Sequence, residues 1–213
     1  MKRDHLAELI RRRPQLEACR ADIESAFVLL EQAFRRSGKV LLCGNGGSAA
    51  DAEHWAGELL KGFESRRPLP PQAREPLPPE LANRLQGGLP AIPLTGFTSL
   101  RTAVANDIDA ELEYAQLVWS LGSPSDVLVG ISTSGQARNI CRAAQAARAR
   151  DMRVLALTGQ AGGWLAELAD CCIRVPESRT LLVQELHLPI YHCLSLMLED
   201  AFFPAPGPDA SAP

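Results

Sequence analysis

The sequence Val-Leu-Leu-Cys-Gly-Asn-Gly-Gly-Ser-Ala-Ala-Asp-Ala-Glu-His-Trp-Ala-Gly-Glu spans residues 40–58. A short apolar run ends in closely spaced glycines, and a helix-forming segment follows at once. This order predicts a β-strand, a glycine-rich turn and the first turn of an α-helix, which the hydroxyl of Ser48 can cap. Free amides at a helix start attract anions, above all phosphate. The stretch therefore indicates an α/β protein that binds a small phosphorylated compound.

Apolar runs of strand length alternate with helical segments along the rest of the chain. Beside the first strand, 40–43, we expect strands at 91–94, 126–131, 154–157 and 172–175, and helices at 98–105, 109–120, 137–150, 165–169 and 180 to about 203. Asn106-Asp107 should form a turn, and Asp109 or its neighbour should cap the helix at 109–120. This alternation predicts a parallel sheet covered by helices on both faces. Ligands bind at the carboxyl ends of such strands. The loops at 44–48 and 132–135 should therefore lie on the same edge.

Three further segments flank or interrupt this pattern. Residues 1–36 read as helix, re-started near Pro14, with an apolar stripe from Leu16 to Phe34 that must pack on the domain body or on another subunit. Residues 64–89 form a proline-rich surface insertion, since eight of the sixteen prolines fall between 64 and 93. We expect the main domain to span 37–203, and the Pro/Ala/Gly-rich tail, 204–213, to be disordered.

Composition favours a cytoplasmic protein without nucleic-acid or membrane partners. The net charge of -3 offers no general attraction for nucleic acid. Six cysteines without a C-x-x-C pair read as free thiols in a reducing compartment. The first residues lack the apolar core of a signal peptide, and no uninterrupted apolar run reaches the roughly 18 residues that a membrane span needs.

Polar side chains on two helices suggest a metal site. His54 and Glu58 stand at i and i+4, on one helix face. The last helix carries Gln184, His187 and His192 in an otherwise apolar sequence, and buried polar groups must be paired or liganded. Imidazole and carboxylate are common ligands of divalent transition metals. Gln184 and His192 lie about 80° apart around a helix, so both can border one cavity, but spacing leaves open which histidine binds.

A second candidate for phosphate binding is Ser132-Thr133-Ser134-Gly135, at the end of a predicted strand. Hydroxyls and backbone amides at a helix start can hold phosphate without a lysine, although an ordinary polar N-cap turn would look the same. Neither this loop nor the one at 44–48 matches the G-x-x-x-x-G-K-[ST] or G-x-G-x-x-G motif.

Together these segments resemble a known family, the phosphoheptose isomerases of the sugar isomerase (SIS) domain proteins. The resemblance rests on Cys-Gly-Asn-Gly-Gly-Ser-Ala-Ala-Asp-Ala-Glu-His-x-Ala-x-Glu at 43–58, Ala-Asn-Asp at 105–107, Gly-Ile-Ser-Thr-Ser-Gly at 130–135, and Val-Gln-Glu-Leu-His at 183–187 with His192 beyond. The third segment is generic to SIS domains. The first and fourth together are specific to the heptose enzymes.

The resemblance implies a three-layer α/β/α fold with a five-stranded, flavodoxin-like parallel sheet, and a homotetramer with one zinc ion per subunit. It implies isomerisation of sedoheptulose 7-phosphate to D-glycero-D-manno-heptose 7-phosphate, the first step of nucleotide-activated heptose synthesis. The implied zinc ligands are His54, Glu58, Gln184 and His192, of which Glu58 and His192 are the acid/base pair. The implied substrate contacts are Asn45, Gly46, Gly47, Ser48, Glu58, Asn106, Asp107, Ser132, Thr133, Ser134 and Gln184. His187 is not a ligand in the family.

The chain departs from the family pattern in three places. Ala137-Arg138 stands where the family has a further phosphate-binding serine, Lys61-Gly62 where an arginine is common, and 64–89 is inserted. These departures bear on the identity of the sugar more than on the type of reaction. Two alternatives therefore accompany the isomerase: a non-catalytic SIS adaptor for a replication-initiation protein, and an isomerase for another phosphosugar.

Overall fold

The computed structural model describes residues 4–204, so almost all of the predicted tail lies outside the described residues. The helices are α1 His5–Arg12, α2 Arg20–Arg35, α3 Gly47–Leu60, α4 Pro71–Arg74, α5 Pro79–Ala82, α6 Thr98–Val104, α7 Glu113–Leu121, α8 Arg138–Ala149, α9 Gly163–Leu168 and α10 Thr180–Phe202. The strands are β1 Val40–Gly44, β2 Ala91–Pro93, β3 Val127–Ile131, β4 Arg153–Thr158 and β5 Cys171–Arg174.

The five strands form one sheet in the order β2-β1-β3-β4-β5, and every pair is parallel. This arrangement confirms the predicted five-stranded, flavodoxin-like sheet. Gly44 of β1 is in register with Ile131 of β3, so the loops that follow them leave the sheet side by side. The strand order reverses direction between these two strands, where open α/β sheets bind ligands.

Alternate residues of the strands serve two separate cores, as expected for a sheet buried on both faces. Leu42, Val129 and Leu155 pack with α1, α2, α3 and α10. The residues between them, such as Leu41 and Leu128, pack with α7, α8 and α9. Three layers result, α/β/α, as predicted.

The amino-terminal helices belong to this domain. Pro14 opens a short 3₁₀ segment between α1 and α2, where a helix interior would not accept it. In the stripe that follows, Leu16, Ile23 and Leu30 are fully buried, and α2 packs against β5 and α10. These residues of the stripe are therefore buried within their own chain.

The last helix, α10, is long and apolar enough by length and composition to cross a membrane, with a mean hydropathy of 1.3. Isolated polar residues interrupt its apolar runs, so the helix contains no uninterrupted apolar run of that length. Half of its apolar window is buried against the rest of the chain, and it contacts α1, α2 and α3. Within the described residues, α10 is a core helix.

Two local expectations were wrong. Ser48 does not cap α3, because the cap position is Gly46, whose φ of 57° lies in the region that glycine favours, and Ser48 is buried inside the first turn. Asn106 and Asp107 do not form a turn but belong to a π-helical continuation of α6, Ala105–Asp109. The prediction that Asp109 caps the next helical segment is confirmed, since its side chain accepts the N–H of Glu111 at 2.8 Å.

Only part of the proline-rich insertion, 64–89, forms a loop that does not pack into the core. None of residues 69–85 is buried. An antiparallel bridge between Pro68 and Gln86 closes the base of this stretch, and the N–H of Gly87 donates to the carbonyl of Arg67 at 2.7 Å. The detached loop therefore begins after Pro68 and ends before Gln86.

Replacing residues 70–84 by Gly-Gly should leave the fold intact, because no buried side chain is removed and the closing bridge remains. We expect the Tm to change by less than about 3 °C, and the far-ultraviolet circular dichroism to lose only the small contribution of α4 and α5. Thermal unfolding of the full and shortened chains is the measurement. A shortened chain that melts without cooperativity would show that the loop is part of the core.

Candidate active site

The site forms where α3 crosses α10 on one face of the sheet. The rings of Trp55 and Tyr191 stack there, with centroids 5.6 Å apart and planes at 19°, and both side chains are fully buried. Truncating a buried tryptophan typically costs about 3–5 kcal/mol, so this contact fixes the crossing firmly. The neighbours of the two aromatic residues, His54 and His192, meet edge to face at 5.1 Å.

His54, Glu58 and His192 form a cluster that suits a metal ion. One donor atom from each side chain lies within 4.8 Å of the others, and His54 Nε2 is 3.1 Å from Glu58 Oε1. Glu58 Oε2 and His192 Nε2 are buried and have no hydrogen-bond partner within the described chain. Two imidazoles and a carboxylate leave a fourth position open, as catalytic zinc sites do. The residues therefore fit the zinc ion that the family resemblance implies.

Tyr191 and Asp51 orient His54 from behind. The Tyr191 hydroxyl donates to Asp51 Oδ1 at 3.3 Å and lies 2.9 Å from His54 Nδ1. Because the hydroxyl proton points to Asp51, the tyrosine oxygen is free to accept the Nδ1–H of His54. The lone pair of Nε2 then faces Glu58 and His192, which is how metal-binding histidines are commonly oriented.

The surroundings of the cluster keep His192 neutral. Burial, and then the nearby His54, lower the pKa of His192. Burial raises the pKa of Asp51, against the effect of the Tyr191 hydrogen bond. A neutral imidazole is the form that can bind a metal or accept a proton.

Gln184, the fourth predicted ligand, lies against the glycine-rich loop. A Cβ atom on Gly47 would come within 2.4 Å of Gln184 Nε2, so the glutamine amide packs directly against the backbone of this glycine. Three of the four predicted ligands thus form the cluster, and the contact shown for the fourth is with Gly47. A cavity of about 780 Å³ opens beside this contact, lined also by Asp51, Arg12 and Arg13. Its size is that of a typical small-molecule pocket.

Helical spacing left open which histidine of α10 joins the cluster, and the structure shows that it is His192. His187 is fully buried and lies 3.3 Å from the carbonyl oxygen of Thr158 through Nε2. A carbonyl only accepts, so Nε2 carries the proton. Burial lowers the pKa of His187 to about 4, which keeps it neutral. It supports the end of β4 and is not part of the cluster.

The serine-rich loop leaves the sheet at the end of β3, beside the glycine-rich loop, as predicted. Ser132 is buried, whereas Ser134 is exposed and its hydroxyl accepts the N–H of Gln136 at 3.1 Å. The carbonyl of Thr133 accepts the N–H of Gly159 at 3.0 Å, which ties the loop to the end of β4. Gly135, at a φ of 65°, turns the chain into α8.

Asn45, which directly follows β1, lies at the same edge. Asn45 exchanges two side-chain hydrogen bonds with Asn139, at 2.8 and 2.9 Å, and Asn139 also donates to Glu113 at 2.9 Å. Asn106 and Asp107 are exposed and bonded to each other at 2.8 Å.

Arg138 follows Ala137, which stands where the family has a further serine. It is paired with Glu111 at 2.9 Å and is 74% exposed, so its guanidinium is engaged at the surface.

The sequence did not identify several residues that position the site. Asp51, Tyr191 and Asn139 act through contacts between residues 94 to 140 positions apart. Asp51 stands one turn before His54 and Tyr191 directly before His192, which is the only signal that the sequence offered for them.

Comparisons with known proteins agree with this geometry. Two family models described as SIS domain match residues 99–198 and residues 4–74. The phosphoheptose isomerase of Thiobacillus denitrificans is 45% identical over 175 residues, which are 81% of this chain and 79% of that protein. Among solved structures, phosphoheptose isomerase GmhA from Neisseria gonorrhoeae superposes with a TM-score of 0.74 at 36% identity, covering 92% of this chain and 95% of that one. A phosphoheptose isomerase from Francisella tularensis gives 0.74 at 34% identity, with 89% and 91% covered.

The Tyr191→Phe variant should bind zinc about ten- to hundredfold more weakly, because the hydroxyl that orients His54 is lost while the ring can still stack on Trp55. Competition with a chromophoric chelator measures this affinity. Tyr114→Phe is the matched control, since it removes a buried hydroxyl that donates to the Gly44 carbonyl at 2.7 Å and does not touch the cluster. Equal zinc affinities for wild type and Tyr191→Phe would refute the orienting role.

Proposed function

This chain belongs to the phosphoheptose isomerase family of SIS domain proteins, and we propose that it converts sedoheptulose 7-phosphate to D-glycero-D-manno-heptose 7-phosphate. The observation that carries the proposal is the cluster of His54, Glu58 and His192 at the crossing of α3 and α10. It supplies a carboxylate and a neutral imidazole close to the edge of the sheet where sugar phosphates are expected to bind.

The reaction moves a carbonyl group from C2 to C1 of the sugar. A proton leaves C1 and another is added at C2, with an enediol between, while the oxygens exchange a proton. We assign the removal of the proton from carbon to the unpartnered Oε2 of Glu58. We assign the transfer of the proton between the oxygens to the neutral imidazole of His192, in steps in which its Nε2 is not bound to metal.

We propose that His54, Glu58 and His192, with Gln184, hold one zinc ion per subunit. Zinc beside the carbonyl would act as a Lewis acid and stabilise the negative charge of the enediolate. A carboxylate that binds metal is a weaker base, but Glu58 has two oxygens. Oε1 faces His54 at 3.1 Å and Oε2 has no partner in the described chain, so one oxygen can bind metal while the other takes the proton.

The two loops at the edge of the sheet would hold the substrate. We assign the loop Asn45–Gly47, with Ser48, to the sugar: the amide side chain of Asn45 is fixed by Asn139, and Gln184 packs against Gly47. The hydroxyls of Ser132, Thr133 and Ser134 suit the phosphate group, near the start of α8. Asn106 and Asp107 offer further polar groups at the surface.

We also propose a cytoplasmic homotetramer. Large apolar side chains remain at the surface of the described chain: Ile108 is 64% exposed, Trp119 53% and Leu60 50%. Apolar side chains of this size are typical of subunit interfaces. All six cysteines are free thiols, in keeping with a reducing compartment.

The alternatives are a non-catalytic SIS adaptor and an isomerase for another phosphosugar. The intact cluster favours an enzyme, since an adaptor needs no base with an unpaired buried oxygen. Ala137 in place of a serine bears on which phosphosugar fits best. An assay of several ketose phosphates therefore separates the three possibilities.

Purified protein should contain about one zinc per subunit and convert sedoheptulose 7-phosphate to an aldose. His192→Ala should lose the metal, and Glu58→Gln should lower kcat by about 10²–10⁴-fold, the usual contribution of a general base. Metal analysis and a coupled assay over heptose and hexose phosphates measure both. Glu53→Gln, exposed on the same helix, is the matched control.

Two results would count against this proposal. Wild-type protein without zinc, together with undiminished activity of His192→Ala, would exclude the metal site. Zinc-loaded protein that ignores every ketose phosphate would favour the adaptor.

A further inference from the structure

A buried carboxylate near the end of α10 binds the chain that follows α3. Glu199 is 4% exposed, and its two oxygens accept the backbone N–H groups of Phe63, Glu64 and Ser65 at 2.9, 3.0 and 2.9 Å. Burial raises the pKa of Glu199, but these hydrogen bonds and the one from Arg67 outweigh it, so the pKa is lowered overall. Three successive amides on one carboxylate hold this segment in a single conformation.

Arg67 completes the arrangement from the same segment. Its side chain is fully buried, and Nε donates to Glu199 Oε1 at 2.6 Å. The other nitrogens donate to the carbonyls of Leu59 at 2.8 Å and Glu58 at 3.1 Å. These carbonyls lie in the last turn of α3, where helix carbonyls lack intrahelical partners and a cation is favourable. The guanidinium also lies over the ring of Phe203 at 4.9 Å.

This pair contacts both helices that build the cluster. Through the Glu58 carbonyl, Arg67 holds the backbone of the proposed base. Through the N–H of Phe63, Glu199 places the Phe63 ring, whose centroid lies 5.1 Å from that of His192. The helix that supplies Glu58 and the ring that packs on His192 are thus held by one buried ion pair.

We propose that Arg67 and Glu199 are positioning residues that set the distance between Glu58 and His192. The proposal rests on the function proposed above through its activity and zinc readouts, whereas its NMR readout is independent of it. It assigns a role to two charged residues that touch neither the cluster's donor atoms nor the cavity. It also explains why the chain stays anchored as far as Pro68, where the detached loop begins.

Arg67→Lys tests the proposal with the smallest change. Lysine keeps the charge and can pair with Glu199, but one ammonium cannot reproduce the planar set of donors that reaches both carbonyls. Arg35→Lys is the matched control. Arg35 is paired with Glu31 at 2.7 Å and lies over Phe202 at 5.1 Å, at the same end of α10, without contacting the site.

We expect Arg67→Lys to weaken zinc binding about tenfold and to lower kcat about tenfold, with KM changed less than about threefold. In NMR spectra of the metal-free protein, the ring resonances of His54 and His192 should shift, while those of His187 stay in place. Arg35→Lys should leave all of these values unchanged. The zinc and NMR readouts remain informative if wild-type protein fails to isomerise the heptose, so the two proposals can fail separately.

A second variant separates position from stability. Arg67→Met with Glu199→Gln removes both charges and leaves no unpaired buried ion. The amide oxygen of the glutamine can still accept backbone N–H groups of residues 63–65. It should fold and still bind zinc about tenfold more weakly. Wild-type zinc affinity and unchanged histidine resonances in either variant would overturn the proposal. Failure of both variants to fold would also overturn it, since the pair would then be a requirement of folding itself.

Discussion

Trp55 of α3 and Tyr191 of α10 stack 5.6 Å apart in the core, and the polar site depends on this apolar contact. His54 and His192 are their immediate neighbours in sequence, so a fixed stack fixes the meeting of the two imidazoles. Tyr191 serves both sides, because its ring packs in the core while its hydroxyl joins Asp51 to His54. A well-packed core thus holds the side chains of the cluster in place through its own contacts.

The layered fold could be predicted because parallel strands buried on both faces are nearly continuous apolar runs. The runs at Val40 and Val127 led directly to the correct sheet and to adjacent loops at one edge. His54 and Glu58 could be paired from helical spacing alone. His192 could not be separated from His187 in this way, because only the packing of α10 decides which one turns toward α3 and which one toward the end of β4.

Other features lie beyond sequence patterns for physical reasons. A serine beside three glycines looks like a helix cap, but Gly46 takes that position because its backbone needs a positive φ. A proline-rich stretch looks uniformly detached, yet Glu199 captures its first residues from 134 to 136 positions away. Nothing in the sequence distinguishes Arg67 from its neighbour Arg66, although Arg67 is fully buried and Arg66 is exposed. The positions of residues 63–65 and of Arg67 are set by hydrogen bonds to the buried Glu199, which is more than 130 residues away in sequence.

The claim that Glu58 moves the proton in this isomerase is tested most directly by following the C1 hydrogens of sedoheptulose 7-phosphate with proton NMR. Wild-type protein should remove a C1 hydrogen and produce an aldose signal. Glu58→Gln, with the same metal content and Tm as wild type, should do both at least about a hundredfold more slowly. Loss of the C1 hydrogen at the wild-type rate in Glu58→Gln would contradict the assignment and place the base elsewhere.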